Sequence, residues 1–269
     1  MVLQQILKLE RGYNMSENMV PSETIELPSK GWYYPESNPL SKGHIDMFYM
    51  CARHEDLLTS RTLIEKGTVI ERLLQELIVD KTIKIDDMLL GDKNGLMIAA
   101  RIMGYGKDYP VTVNCPKCST ENETTINLET IEPTKINFTK ETKGKNEFIF
   151  TLPVSKKVIV FQLPTQGSDA KIRDELRMTQ KAIKSDISHE VTTRMRHAIV
   201  SINGNTDAGF IRTEVDNMIV RDSRAFREFA QTISPDIDMS SEFICKNCTY
   251  DGRVEVPVNA NFFWPNARI

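Results

Sequence analysis

The sequence contains no apolar run that approaches the roughly 20 residues a helix needs to cross a membrane. Its first residues also lack the basic stretch and unbroken apolar segment of a secretory signal. We therefore expect neither membrane insertion nor export, and we place the chain in a reducing cytosol. In that compartment, paired cysteines serve more often as metal ligands or redox groups than as structural disulfides.

A large excess of charge of either sign is also missing. The 269 residues include 34 Lys and Arg against 37 Asp and Glu, which leaves a net charge of −3. No overall basic field exists to hold nucleic acid, although a local patch remains an alternative. Hydrophobic residues make up 40% and charged residues 26% of the chain, as in an ordinary globular protein with a real core.

Motifs for catalysis are absent as well. The sequence has no phosphate-binding loop, nucleophile elbow or dinucleotide fingerprint. Its four histidines stand at positions 44, 54, 189 and 197, and no two have the i, i+4 spacing of a metal pair on a helix. Asp86, Asp87 and Asp92 suit helix ends better than a metal site. We therefore predict no catalytic residues, no small-molecule substrate and no enzyme.

Two Cys-x-x-Cys pairs are the strongest motif that is present. They are Cys115 with Cys118 and Cys245 with Cys248, and strand-like runs precede and follow both. A Cys-x-x-Cys at a tight hairpin tip presents two sulfurs on one side, so two facing hairpins supply four. Four thiolates suit a tetrahedral zinc ion and leave no open position for water, which indicates a structural rather than a catalytic metal.

The two cysteine pairs are separated by residues 119–244, far more than the roughly 15–20 residues of an ordinary zinc ribbon. We interpret this distance as an insertion between the two halves of one ribbon, because loop-closure entropy grows slowly with length. Unlinked reduced cysteines, a redox pair and two separate sites completed by histidines are the alternatives. Cys51 has no partner in sequence and suits a small apolar position.

Hydrophobic periodicity predicts the remaining elements. Strands are expected at 41–49, 109–114, 123–128, 148–153, 158–163, 241–244 and 253–258. Helices are expected at 54–64, from Thr68 to about residue 80, and at 92–103, 168–184, 188–202 and 213–233. Residues 1–20 suit a short amphipathic segment.

These elements predict an α+β protein with a split four-cysteine, zinc-ribbon-like β module, an inserted mainly helical subdomain and an N-terminal helical region. We place an extended arm at 1–40 and the helical region with the first knuckle hairpin at 41–130. The inserted β-hairpin and helices occupy 131–240. The second knuckle hairpin and an aromatic tail occupy 241–269.

Aromatic residues cluster near both ends of the chain. They are Trp32, Tyr33, Tyr34, Phe262, Phe263 and Trp264. Prolines and a glycine beside the first group exclude a helix interior there. Such aromatics either pack on the protein's own core or dock on a partner, and aromatic side chains dominate interface energetics. We predict that they bind partner proteins.

Three segments together resemble a known family. They are Glu26-Leu27-Pro28-Ser29-Lys30-Gly31 followed by Tyr33, then Tyr105-Gly106-Lys107-Asp108-Tyr109 leading into the first cysteine pair, and the second cysteine pair followed by Phe262-Phe263-Trp264-Pro265. In this order they look like the baseplate hub and hub-assembly proteins of T-even-type contractile-tailed bacteriophages. The resemblance spans about residues 25–265.

The resemblance implies a late, non-enzymatic structural or assembly protein of the baseplate hub. Its partners would be other phage tail and hub proteins. It would reside in the host cytoplasm during assembly and, for a permanent subunit, in the tail baseplate of the virion. The alternative from the cysteines alone is a zinc-ribbon regulatory protein that binds nucleic acid, and the acidic composition argues against it.

Overall fold

The structure is a computed structural model that describes residues 20–183, 188–258 and 262–263. Helices and antiparallel strands alternate along these residues, which confirms the predicted α+β class. The amphipathic segment predicted for residues 1–20 lies almost wholly outside the described part of the chain. Within the described part, no helix is long and apolar enough to span a membrane.

The first described element is a strand. Strand β1 (Ser22–Glu26) pairs antiparallel with β2 (His44–Phe48) from Ser22↔Phe48 to Glu26↔His44. The connection folds back through turns, and Gly31 adopts φ +74° there. A Cβ on Gly31 would lie 2.4 Å from the carbonyl oxygen of Ser41, so the close approach of the two backbones requires glycine.

Four helices follow: α1 (Ala52–Leu58), α2 (Arg61–Lys66), α3 (Val69–Leu77) and α4 (Leu90–Tyr105). The prediction of a single helix over 54–64 was wrong, because the helix is interrupted at Thr59. The Thr59 hydroxyl donates back to the carbonyl oxygens of Glu55 and Asp56, at 3.1 Å each, a local bond that competes with helix continuation. Gly67 ends α2 at φ +67°, as predicted.

The N-terminus of α4 packs against a distant part of the chain. A Cβ on Gly91 would lie 1.7 Å from the carbonyl oxygen of Pro235. That contact is backbone, so it cannot move aside like a flexible side chain. Gly95 likewise has the Pro28 ring 2.9 Å from an added Cβ. Small residues on this face of α4 therefore allow it to touch both the N-terminal turns and the segment before the second knuckle.

Gly91→Ala is expected to lower the free energy of unfolding by about 2–3 kcal/mol, a typical cost of overpacking. The matched control is Gly209→Ala, where the nearest atom to the added Cβ is a side-chain oxygen at 3.3 Å. Urea denaturation of both variants checks this. Equal stability of the two variants would contradict the close backbone approach at Gly91.

Two hairpins carry the cysteine pairs, as predicted. Strands β3 (Asp108–Asn114) and β4 (Glu121–Asn127) form the first, and β10 (Ser240–Ile244) and β11 (Asp251–Glu255) form the second. Between them, β5 (Glu132–Pro133) pairs with β9 (Ile237–Asp238). The chain therefore leaves and returns at one place, which supports the proposal that the intervening residues are an insertion. The domain bounds stay a prediction.

The described residues between the two hairpins include a three-stranded sheet and four α-helices. Strand β6 (Phe148–Thr151), β7 (Val158–Phe161) and β8 (Ile199–Ile202) lie in the order β6-β7-β8. The helices are α5 (Gln166–Ile183), α6 (Glu190–Ala198), α7 (Ala208–Asp216) and α8 (Val220–Ile233). Phe161, fully buried, contacts the rings of Phe148, Phe226 and Phe229, which joins the sheet to α8.

Two helix predictions in this region were wrong. Residues 199–202, predicted as the end of a helix, pair with β7, because three of the four are β-branched and suit the sheet. The helix predicted over 213–233 is divided into α7 and α8. Asp222, buried in the first turn of α8, accepts hydrogen bonds from the N–H groups of Val154 and Ser155 at 2.7 and 2.9 Å, which fixes this helix end against the β6–β7 turn.

Candidate metal centre

The tips of the two knuckle hairpins meet. The Sγ atoms of Cys115 and Cys248 lie 3.6 Å apart, and those of Cys118 and Cys245 lie 3.7 Å apart. All four Sγ atoms lie within 4.8 Å of one another. Each close pair therefore joins one hairpin to the other. Residues more than 120 positions apart in sequence share one cluster.

The two hairpin tips repeat the same local geometry. The N–H of Cys115 donates to the carbonyl of Thr120 at 3.0 Å, and the N–H of Cys245 donates to the carbonyl of Tyr250 at 2.8 Å. The residue after each second cysteine, Ser119 or Thr249, adopts the left-handed conformation with φ of 58° or 55°. This turn points both sulfurs of a pair to the same side of its hairpin.

Amide groups from both hairpins surround the sulfurs. Asn122 Nδ2 lies 3.7 Å from Cys245 Sγ, and its Oδ1 accepts from the N–H of Lys246 at 2.9 Å. Asn247 Nδ2 lies 3.8 Å from Cys118 Sγ and donates to Thr120 Oγ1 at 3.1 Å. N–H groups directed at sulfur favour thiolates over thiols. Each asparagine also links its own hairpin to the other.

The pKa values of the clustered cysteine thiols differ. The hydrogen bond with the Thr120 hydroxyl lowers the pKa of Cys118 to about 6, and the backbone N–H of Cys248 lowers the pKa of Cys245. The N–H of Tyr250 also lowers the pKa of Cys248, but desolvation and the neighbouring sulfurs outweigh it and raise that pKa to about 12. Four thiolates this close repel one another strongly, so full ionisation requires a cation among them.

The donor set therefore fits a soft metal ion. Four thiolates within reach of one ion suit zinc or iron. Cys51 does not belong to the cluster. It is half-buried at the start of α1, with its Sγ 3.4 Å from Nδ1 of His54. The sequence pattern identified the four clustered cysteines. It did not identify Thr120, Asn122 and Asn247. The two asparagines reach the sulfurs of the opposite hairpin only where the two hairpins face each other.

The structure places the predicted partner-binding aromatics in different environments. Tyr33 and Tyr34 are buried, at 2% and 6% exposure, and Phe262 and Phe263 are buried at 1% and 2%. Trp32 is half-buried and donates from Nε1 to the carbonyl of Thr139 at 3.0 Å. Trp264 lies outside the described residues. Partner binding by these six residues stays a prediction.

A buried carboxylate forms a second polar centre. Asp92, in the first turn of α4, accepts hydrogen bonds from the N–H and hydroxyl of Ser29 at 2.8 and 2.7 Å and from the Tyr34 hydroxyl at 2.6 Å. Desolvation raises the pKa of Asp92 to about 6 despite these donors. The arrangement attaches the N-terminal turns to α4, consistent with the predicted helix-end role of Asp92.

A surface cleft of about 690 Å³ lies between α4, α8 and the second knuckle hairpin. Its two aspartates already have partners within the chain. Asn94 Nδ2 donates to Asp236 Oδ1 at 2.9 Å, and Ser240 and Arg253 donate to Asp238 at 2.6 and 3.0 Å. These bonds hold chain segments together, and the cleft presents no triad or metal-ligand pair among the residues described.

The fold is a mixed helix-and-sheet scaffold with a cluster of four cysteines, and comparison with known families gives the class of protein. The family model described as T4 bacteriophage base plate protein matches residues 47–264. The match covers well over half of the chain, which therefore belongs to this family, and the resemblance stated from the sequence motifs is confirmed. No curated protein and no solved structure matched the chain.

Proposed function

We propose that this chain is a non-enzymatic structural or assembly protein of the baseplate hub, held together by one structural zinc ion at Cys115, Cys118, Cys245 and Cys248. The observation that carries the proposal is the cluster of four sulfurs in a member of the baseplate family. The family supports a structural role in the phage baseplate. The hub location and the metal are our inference.

The sulfur distances fit a four-thiolate metal site such as that of zinc. A tetrahedral site with zinc–sulfur bonds of about 2.3 Å separates its sulfur atoms by about 3.8 Å. The two closest contacts, at 3.6 and 3.7 Å, are near that spacing. When bound, the ion would neutralise the thiolates and join the two hairpins. Four cysteines would fill its coordination shell, so no position would remain for a catalytic water.

A scaffold of this kind suits assembly with other proteins. Its partners would be tail and hub proteins. It would be located in the host cytoplasm during assembly and in the tail of the virion. The aromatic residues predicted to bind partners would act at contacts with those neighbours. A nucleic-acid-binding regulator gains no support from the family match, and a salt-sensitive shift of DNA or RNA in a gel is the result that would favour it.

Co-purification from phage-infected cells tests the proposed role. The affinity-tagged chain is expected to retain baseplate proteins identified by mass spectrometry. The double variant Cys115→Ser, Cys245→Ser is expected to lose them, because the clamp is gone, whereas Cys51→Ser retains them. Recovery of no tail or baseplate protein with the wild-type chain would contradict the assignment.

A further inference from the structure

Strand β6 lies at an open edge of the inserted sheet. It pairs with β7 on one side, and no strand among the described residues pairs with its other side. Unpaired edges are templates for a strand from another chain, so natural proteins usually cover or twist them. The part of the chain that the structure describes leaves this edge accessible, since Ile149 at its centre is 69% exposed.

The hydrogen-bond register shows which backbone groups are free. The N–H of Leu152 donates to the carbonyl of Lys157 at 2.9 Å, so Leu152 faces β7. Residues alternate along an antiparallel strand, and therefore Phe150 also faces β7 whereas Ile149 and Thr151 direct their N–H and C=O groups outward. Val158, opposite Thr151, instead exchanges bonds with Asn203. Among the described residues, nothing bonds the backbone of Ile149 or Thr151.

The exposed face beside this edge is apolar. Ile149 and Val158 lie on the side of the sheet away from the core, with 69% and 40% of each residue exposed. Val154, in the β6–β7 turn, is 38% exposed. An incoming strand would thus find free backbone groups at the edge and apolar contacts for alternate side chains, the combination that gives strand addition its affinity and specificity.

The charges next to the edge indicate the chemistry of the incoming strand. Exposed lysines outnumber glutamates by four to two in the segments that precede and follow β6: Lys140, Lys143, Lys145 and Lys156 against Glu141 and Glu147. None of them belongs to an ion pair among the described residues. Pairing two copies of β6 would juxtapose lysines, which disfavours self-association and favours an acidic partner.

We propose that the β6 edge accepts an extended, acidic segment with alternating apolar residues from another baseplate protein, as an added antiparallel or parallel strand. This inference rests on the proposed baseplate role and names the form of one partner. The backbone groups of Ile149 and Thr151 bond the incoming strand. Ile149 and Val158 contact its apolar side chains, and the surrounding lysines meet its carboxylates.

Ile149→Pro tests the edge with little damage to the fold. Proline at position 149 removes an outward N–H that makes no bond to β7, a position at which edge strands tolerate proline. Ile149→Val keeps the N–H and is the matched control. The probe is the set of baseplate proteins that co-purify with the tagged wild-type chain. We expect Ile149→Pro to weaken their binding about tenfold or more, with the Val variant near wild type and all melting temperatures similar.

Residue-resolved hydrogen exchange of the full chain, free and in the complex, supplies the second readout. The amides of Ile149 and Thr151 are expected to exchange fast in the free chain and slowly in the complex. If they stay unprotected, or if Ile149→Pro binds like wild type, the edge proposal fails while the baseplate role stands. If the wild-type chain retains no baseplate protein, both fail. Loss of binding with a lowered melting temperature would also overturn the edge assignment.

Discussion

Cys245→Ser is expected to lower the free energy of unfolding by at least about 3 kcal/mol, because it would remove one ligand of the proposed zinc site that joins the two hairpins. Structural zinc contributes about 10–16 kcal/mol of apparent binding free energy to the folding of small zinc domains. Here the core is larger and the chain retains other contacts, so a partial loss is expected. Thermal denaturation should show a fall of roughly 10 °C.

Cys51→Ser is the matched control for this prediction. Cys51 is the one cysteine outside the cluster and is half-buried, so its conversion to serine should change stability by less than about 1 kcal/mol. A strong chelator should destabilise the wild-type chain as much as Cys245→Ser does and should leave that variant unchanged. Equal stability of the two serine variants, with no response to chelator, would contradict a metal clamp.

Asp92→Ala is expected to destabilise the chain by about 3 kcal/mol or more, since it leaves the N–H and hydroxyl of Ser29 and the hydroxyl of Tyr34 buried without an acceptor. All three groups bond the Asp92 carboxylate at 2.6–2.8 Å. The attachment of the N-terminal turns to α4 would weaken first. Urea denaturation measures the loss, and hydrogen exchange in β1 and β2 locates it.

Asp87→Ala is the matched control, because Asp87 is exposed and lies five residues before Asp92. Its expected effect is within about 0.5 kcal/mol. If both alanine variants were equally stable, the buried hydrogen bonds at Asp92 would not contribute to the fold as the geometry indicates.

The pH dependence of the Asp92 contribution has a definite sign. Its folded pKa of about 6 lies above the ordinary 3.8, so the folded state binds the proton more tightly than the unfolded state. The stabilisation that protonation of Asp92 gives the folded state is present in full below about pH 4, and it is lost as the pH rises through about 6. The stability deficit of Asp92→Asn should therefore grow as the pH falls from about 6 to about 4, measured by urea denaturation at each pH.

Local patterns in the sequence determined much of the fold. Strict alternation in residues 109–114 and the Cys-x-x-Cys tips predicted both knuckle hairpins, and the apolar face of α3 predicted its burial. Gly67 ended a helix where expected. These features depend on residues close together in sequence, so periodicity and turn chemistry suffice to find them.

Several features that depend on distant contacts were not predicted from the sequence. Residues 199–202 form a strand only because β7 lies beside them, and nothing in their apolar pattern distinguishes a strand from the end of a buried helix. Asp92 is a polar residue at the start of a helix, where exposure is the usual expectation. Its burial depends on Ser29 and Tyr34, about 60 residues away. At the candidate metal centre the four cysteines were predicted, whereas Asn122 and Asn247 were not.

The metal content of the chain, purified without added metal, tests the central claim most directly. Elemental analysis should give about one zinc per chain for the wild type and for Cys51→Ser, and far less for Cys115→Ser, Cys118→Ser, Cys245→Ser and Cys248→Ser. Loss of zinc from variants in both hairpins would establish one shared metal site. Wild-type protein without metal, or retention of zinc after substitution in one hairpin only, would contradict it.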